Sequence, residues 1–127
     1  MKKFILMLAL LAFTLQANAA MPYKDAAAKN DREPMAILVY ADWAQNYDYA
    51  LTIFRKLQDT LGKSYNFVEL NIASKDAKDY TETYSIMPKL PYIILYRGNG
   101  KFQRVLDRNC ATDLNCAIPK MKSFSRQ

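Results

Sequence analysis

The sequence predicts an α/β domain with a mixed sheet of four to five strands and helices on both faces. Two wholly apolar runs, at 35–41 and 92–96, are typical of strands that are covered on both sides. Strand-like and helix-like segments alternate along the chain, which predicts β-α-β crossovers and parallel neighbours. An Asn99-Gly100 pair between two strand-like segments predicts an antiparallel hairpin. The predicted element order is α, β, α, β, α, β, β, α.

The first helix and the first strand are predicted within residues 20–41. A helix can begin at Pro22, and an alanine-rich stretch follows it until a polar turn before Pro34. The apolar run at 35–41 contains no charged side chain. We therefore expect it to form a central strand.

The next two elements follow from two different periodicities. Between residues 47 and 61, apolar residues recur at spacings of three and four, which places them on one side of a helix. These residues are Tyr47, Ala50, Phe54, Leu57 and Leu61. Gly62 supplies the end of that helix. The segment at 65–72 then alternates apolar and polar residues and predicts a strand.

The second half of the chain predicts two helices around the hairpin. Ser74 can cap a helix that extends through Tyr84. The hairpin joins the apolar strand at 92–96 to a second strand at 101–106. A short final helix is predicted to begin near Pro119, because proline is tolerated in a first helical turn.

Residues 1–19 have the composition of a secretory signal peptide. Lys2 and Lys3 precede an apolar block at 4–15, and the small residues Ala17 and Ala19 follow it. The block is too short to span a membrane. We therefore expect cleavage after Ala19, one soluble domain at 20–127, no membrane insertion after cleavage, and a periplasmic or secreted location.

The composition excludes several classes of function. The chain contains no histidine, which removes histidine-based triads, histidine metal sites and the commonest general base. Two cysteines cannot complete a four-ligand zinc site, and we expect neither a metal nor a cofactor. The formal charge is +6, but beyond residue 19 only Arg55 and Lys56 are adjacent basic residues. Because nucleic-acid binding needs basic residues clustered on one face, no nucleic-acid partner is expected.

Four short motifs carry a resemblance to a known family. They are VYADW at 39–43, VELNI at 68–72, LP at 90–91 and YRGNGK at 96–101. In this order and spacing, the chain resembles the thioredoxin superfamily over nearly all of residues 20–127. The YADW segment looks especially like exported thioredoxin-like domains that read Y-A-D-W-C-x-x-C. The resemblance implies a thioredoxin-like three-layer sandwich.

The cysteine motif of that family is absent from this chain. The matching positions are Ala44 and Tyr47, with Gln45 and Asn46 between them. Thiol-disulfide exchange requires a thiolate that attacks a disulfide sulfur, and neither a methyl group nor a phenol can do this. Leu38 likewise matches a position at which many family members place a buried acid that serves the thiols. We therefore expect no catalytic residue and no redox chemistry at this turn.

The proline that faces the active-site turn in the family is retained. The resemblance implies that the Leu90-Pro91 bond is cis, that the Pro88 bond is trans, and that the backbone before Pro91 pairs with an extended peptide. The expected binding surface is shallow and apolar with one free backbone edge, and it consists of Trp43, Ala44, Tyr47, Leu90, Pro91 and Tyr92. Strand addition would hold a protein or peptide segment there. The alternative is that the aromatic residues only pack in the core, with Trp43 the residue most expected to be exposed.

Cys110 and Cys116 are predicted to form a structural disulfide, because an even pair in an oxidising compartment is normally bonded. Closing this short loop is worth roughly 2 to 2.5 kcal/mol in the chain-entropy model. The alternative is that this displaced pair cycles and makes the protein a thiol-disulfide oxidoreductase. Its five-residue spacer lacks the C-x-x-C geometry that activates the attacking thiol.

The sequence therefore predicts an exported, non-redox protein that binds a protein or an extended peptide. Two other functions stay open. One is the oxidoreductase that uses Cys110 and Cys116. The other is a structural subunit or accessory of an envelope assembly, for which the sequence has no positive motif.

Overall fold

A computed structural model describes residues 20–126 of the chain, and in it four strands form one sheet in the order β2-β1-β3-β4. The strands are β1 (Met35–Tyr40), β2 (Asn66–Asn71), β3 (Tyr92–Arg97) and β4 (Phe102–Leu106). The helices in this part of the chain are α1 (Tyr23–Ala28), α2 (Tyr47–Leu61), α3 (Lys75–Thr81), α4 (Arg108–Ala111) and α5 (Leu114–Arg126). The predicted mixed sheet with flanking helices is confirmed, with four strands. The predicted signal peptide at 1–19 lies outside the described residues.

The directions of the strands differ from the sequence prediction at one point. β1 and β2 are parallel, as the crossover predicted, and β3 and β4 form the predicted antiparallel hairpin. β3, however, runs antiparallel to β1, with Val39 opposite Tyr92. The reason is the short crossover: seven residues of α3 span only about 10 Å, and residues 82–91 return the chain to the end of the sheet where β2 finished. The expectation that every crossover gives parallel neighbours was therefore wrong for β3.

The sheet separates two apolar cores. On one face, Ala36 and Leu38 of β1 pack with the apolar sides of α2, α4 and α5. On the other face, Ile37 and Val39 pack with α1 and α3. This alternation along one strand explains why the run at 35–41 is wholly apolar, since both of its faces are covered. The molecule is thus layered as helices, sheet and helices.

Two helix boundaries also differ from the prediction. α3 ends at Thr81 rather than at Tyr84, whose ring instead packs 4.5 Å from that of Tyr96, measured between ring centroids. The last helix begins at Leu114 and contains Pro119 in its interior. Its start is set by Asp113, whose Oδ1 accepts a 3.0 Å hydrogen bond from the Asn115 N–H.

None of the helices between residues 20 and 126 combines the length and the apolar character that crossing a bilayer demands.

Candidate functional site

The turn that follows β1 presents one large aromatic side chain to solvent. Trp43 is 77% exposed, the largest exposed fraction among the large apolar side chains of the described residues. The turn itself is held by the Ala44 N–H, which donates a 3.0 Å hydrogen bond to the Ala41 carbonyl. The Asn71 Nδ2 donates to the Asp42 Oδ1 at 3.1 Å and ties the turn to the end of β2. The Trp43 side chain therefore projects into solvent from a turn that these two hydrogen bonds hold in place.

The two positions that match the family's cysteines are packed rather than open. Ala44 is 8% exposed and belongs to the same buried cluster as Leu90 and Tyr92. Tyr47 is half-buried, and its ring stacks on that of Tyr40 with 6.2 Å between centroids and 6° between planes. Within residues 20–126 there is no free cysteine. The turn therefore has no thiol that could take part in thiol-disulfide exchange.

Tyr40 links this turn to the charges of the neighbouring strand. Burial is the main cause that raises the pKa of its phenol, and the carboxylates of Glu69 and Asp42 raise that pKa further. Glu69 itself forms a bidentate pair with Arg55, with both N–O distances at 3.1 Å. The Tyr40 hydroxyl is thus held in its neutral, protonated form near neutral pH.

The loop before β3 lies at the same end of the sheet as this turn. The Leu90–Pro91 peptide bond is cis. Because Tyr92 pairs with Val39, Pro91 lies beside the carboxyl end of β1, where the Trp43 turn begins. The fold therefore brings together two segments that are almost fifty residues apart in the sequence.

The side chains of this loop are buried, which corrects one expectation. Leu90 is 4% exposed, Tyr92 is 1% exposed, and Pro91 is also buried. The Tyr92 hydroxyl accepts a 3.0 Å hydrogen bond from the Met87 N–H, while burial raises the pKa of Tyr92. These three side chains lie beneath the molecular surface, so they do not form the expected apolar ring on it. Among the six expected surface residues, only Trp43 is largely exposed.

Arg108 contacts one carbonyl on the backbone edge that the sequence predicted to be free. Its Nε donates a 2.9 Å hydrogen bond to the Leu90 carbonyl. The sequence patterns did not indicate Arg108 as a residue of this site, because it is the first residue of α4, a helix that was not predicted. The residue that could have indicated this helix is Asp107. It follows β4 and caps α4 by accepting a 3.0 Å hydrogen bond from the Cys110 N–H.

A cavity of about 290 Å³ opens beside the Arg108–Leu90 bond. We call it the Arg108 pocket, and its lining residues are Met87, Lys89, Tyr92, Asp107, Arg108 and Asn109. Two of these residues carry a positive charge and one carries a negative charge. The site thus combines an exposed indole on one segment with a pocket of net positive charge on another.

The position that matches the family's buried acid belongs to the core. Leu38 is fully buried and packs in the cluster between the sheet and α2. A carboxylate there would be costly to bury without a partner. The site has therefore neither the thiols nor the acid that serves them.

Cys110 and Cys116 form the predicted disulfide, which joins α4 to α5. Cys110 is 4% exposed and packs in the same core cluster as Leu106 and Met121. Among residues 20–126, no group of three or more histidine, cysteine or acidic side chains is placed to hold a metal ion.

Comparisons with known proteins identify the fold. No protein-family model matches the sequence, and no curated protein matches it. Solved structures do match. A thioredoxin of Malassezia sympodialis is 17% identical with a TM-score of 0.58, covering 81% of this chain and 83% of that one. The germline-specific thioredoxin Deadhead of Drosophila melanogaster is 13% identical with a TM-score of 0.61, covering 80% of this chain and 97% of that one.

A third match is a two-domain structure. The first two thioredoxin domains of Naumovozyma dairenensis Eps1p give a TM-score of 0.63 at 10% identity, and the match covers 86% of this chain and 41% of that one. The chain spans less than half of that structure. At such identities these likenesses show the fold alone, and function has to be argued from the site.

Proposed function

We propose that this chain, which has the thioredoxin-like fold, is an exported protein that binds an extended protein or peptide segment and exchanges no disulfide with it. The observation that carries the proposal is the exposure of Trp43 on the turn beside the Leu90–Pro91 loop. A large exposed indole costs solubility, and such side chains concentrate the energy of protein interfaces. The export part rests on the sequence pattern of residues 1–19.

The packing of the turn supports a non-redox role. Ala44 fills the core with a methyl group, and Tyr47 stacks on Tyr40. Neither side chain offers a nucleophile to a partner's disulfide. What this end of the molecule offers a partner is contact area and hydrogen bonding, which is the chemistry of binding.

The oxidoreductase alternative finds less support. A cycling pair needs an attacking sulfur that a substrate can reach, but Cys116 is half-buried and packs against the core, and Cys110 is 4% exposed. Its helix is packed against the core, so reaching the sulfur would require α4 to move. The Cys110–Cys116 bond is therefore better explained as a structural link between α4 and α5.

The proposal is tested by photocrosslinking. A photoreactive amino acid replaces Trp43 in one variant and Phe102 in a matched control, because Phe102 is a 48% exposed aromatic residue on β4. Both variants are expressed with their leader in the source cells and irradiated. We expect one or a few defined adducts from position 43 and none of the same mass from position 102. If both positions gave the same crosslinked adducts, the proposal would be wrong.

A role as a subunit of an envelope assembly makes a different prediction. A subunit would elute in a large complex without crosslinking or added peptide, whereas a peptide-binding protein would elute at its own size. Size-exclusion chromatography of gently solubilised envelopes, followed by detection of this chain, separates the two functions.

A further inference from the structure

Arg108 is fixed at one nitrogen and open at the others. Its Nε is engaged by the Leu90 carbonyl at 2.9 Å. Among the described residues it forms no ion pair with any carboxylate, unlike Arg55, which is held by Glu69. The bond to Leu90 restrains a long side chain that would otherwise lose much rotamer freedom on binding. Arg108 thus presents the terminal nitrogens of a partly ordered guanidinium to the pocket.

The charges of the Arg108 pocket favour an anionic guest. Lys89 and Arg108 are the two cations in its lining, and Asp107 is the single acid. The Asp107 Oδ1 accepts the Cys110 N–H at 3.0 Å, so part of its charge is engaged in capping α4. Met87, which is 39% exposed, adds an apolar wall. A short apolar stem that ends in a carboxylate matches this combination.

The position of the pocket relates it to the binding segment. Arg108 covers the Leu90 carbonyl, which is the backbone group that an added strand would approach. An extended partner that passes Trp43 and Leu90 alternates its side chains. A segment that runs along Leu90 would bring one of these side chains to the guanidinium, because Arg108 is bonded to the Leu90 carbonyl.

We propose, resting on the proposed function above, that the Arg108 pocket binds a side-chain carboxylate, from Asp or Glu, of the extended partner segment. The terminal nitrogens of Arg108 and the Nζ of Lys89 donate to that carboxylate. A side chain is the source because a segment that contacts both Trp43 and the pocket continues on either side of it. The partner class is thus an extended acidic segment with apolar neighbours.

The test uses three pools of peptides of about nine residues with the same mixture of residues at all positions but the centre. The first pool has a central Glu and blocked ends, the second has a central Gln and blocked ends, and the third has a central Gln and a free carboxyl terminus. Trp43 is the only tryptophan, so its fluorescence reports binding at the site. We expect the Glu pool to half-saturate at a concentration about tenfold lower than both Gln pools, with added salt reducing the difference.

Matched variants assign the preference to the pocket. Arg108→Met should abolish the difference between the Glu and Gln pools, and Arg108→Lys should retain only part of it, because a lysine lacks the planar fork. Lys122→Met removes an exposed positive charge from α5, outside the pocket lining, and should leave the preference unchanged. Far-ultraviolet circular dichroism verifies that each variant is folded.

The outcomes separate the inference from the function on which it rests. If no pool changes the emission of Trp43, both the proposed function and this inference fail. If the Glu and blocked Gln pools bind equally, the function stands and the carboxylate site is wrong. A preference that persists in Arg108→Met also overturns the site. If the free-terminus pool binds as well as the Glu pool, the side-chain source is wrong.

Discussion

The side chain of Asn30 is hydrogen-bonded to the backbone of Tyr96, 66 residues away, through a 3.0 Å bond from its Nδ2 to the Tyr96 carbonyl. The same nitrogen donates to the Glu33 carbonyl at 3.1 Å, and the Asn30 Oδ1 accepts from the Gly100 N–H at 3.0 Å. Asn30 is 2% exposed, and within residues 20–126 no other amide-bearing or charged residue is as buried. It fastens the turn before β1 to the hairpin between β3 and β4.

We expect Asn30→Ala to lower the free energy of unfolding by about 2–4 kcal/mol, because three hydrogen bonds are lost and the buried Tyr96 carbonyl stays unpaired. Urea unfolding followed by circular dichroism measures the change. Asn115→Ala, at an exposed position of α5, is the control and should change stability by less than about 0.5 kcal/mol. A loss below about 1 kcal/mol for Asn30→Ala would contradict this account.

The two glycines of the hairpin should differ in their tolerance of alanine. Both have positive φ, +60° at Gly98 and +81° at Gly100. A Cβ at Gly98 would have only ordinary contacts with the Phe102 ring, whereas a Cβ at Gly100 would collide with the Tyr84 hydroxyl. We expect a cost of about 1 kcal/mol for Gly98→Ala and about 2–3 kcal/mol for Gly100→Ala.

A double variant tests the cause of that difference. Tyr84→Phe removes the hydroxyl, so Gly100→Ala should cost less in the Tyr84→Phe background than in the native one. Urea unfolding of the four proteins gives the coupling between the two positions. Additive effects would show that the backbone conformation alone sets the cost.

The buried tyrosine pair should make the protein unstable at alkaline pH. The hydroxyls of Tyr80 and Tyr96 share a 2.6 Å hydrogen bond. Burial raises the pKa of Tyr80 to about 12, and burial together with the Tyr80 hydroxyl raises the pKa of Tyr96. An unfolded tyrosine has a pKa near 10, so above about pH 10 the unfolded chain loses protons that the folded chain keeps. The contribution of this pair to the free energy of unfolding should be constant below about pH 10 and fall as the pH rises above it.

Unfolding measured at a series of alkaline pH values checks this expectation. Other buried tyrosines contribute in the same direction, so the comparison is between variants. Tyr80→Phe should make the decline shallower, because one titrating group is removed. Tyr49→Phe, at a 53% exposed position, is the matched control and should preserve the native slope. Equal slopes for Tyr80→Phe and Tyr49→Phe would rule out the pair as a cause.

The disulfide should act as a structural link. The loop it closes has a sequence separation of 6, and the Cys110→Ser/Cys116→Ser variant should lose about 2–2.5 kcal/mol of unfolding free energy. Reductant should lower the stability of the native protein to a similar value and leave the variant unchanged. Equilibration with glutathione should give a reduction potential below about −300 mV, as structural bonds do, whereas a value near about −200 mV would favour the oxidoreductase.

Trp43 should matter for binding and hardly at all for stability. Because it is 77% exposed, Trp43→Ala should change the free energy of unfolding by less than about 0.5 kcal/mol. Nuclear magnetic resonance should show that peptide pools shift the signals around the Leu90–Pro91 loop in the native protein and no longer in Trp43→Ala. Phe102→Ala, at an exposed aromatic position on β4, should retain these shifts. Retained shifts in Trp43→Ala would mean that the indole takes no part.

Much of the fold could be read from local patterns. The stripe along α2, the alternation in β2 and the Asn99–Gly100 turn each depend on residues within a few positions of one another. Because such spacings are set by helix and strand geometry, they predict the type of each element before any tertiary contact is known. The pairing of Cys110 with Cys116 was accessible in the same way, since the chain has only two cysteines.

The sequence alone thus determined the elements, the loss of the cysteine motif at Ala44 and Tyr47, and the presence of an aromatic residue in the first turn. Tertiary structure decided the direction of β3, the burial of Leu90 and Tyr92, and the contact of Arg108 with the Leu90 carbonyl. These features depend on how the segment at 82–91 and the four-residue helix α4 return to the sheet. Such contacts join residues far apart in the chain, and no local spacing records where a connection will bring them together.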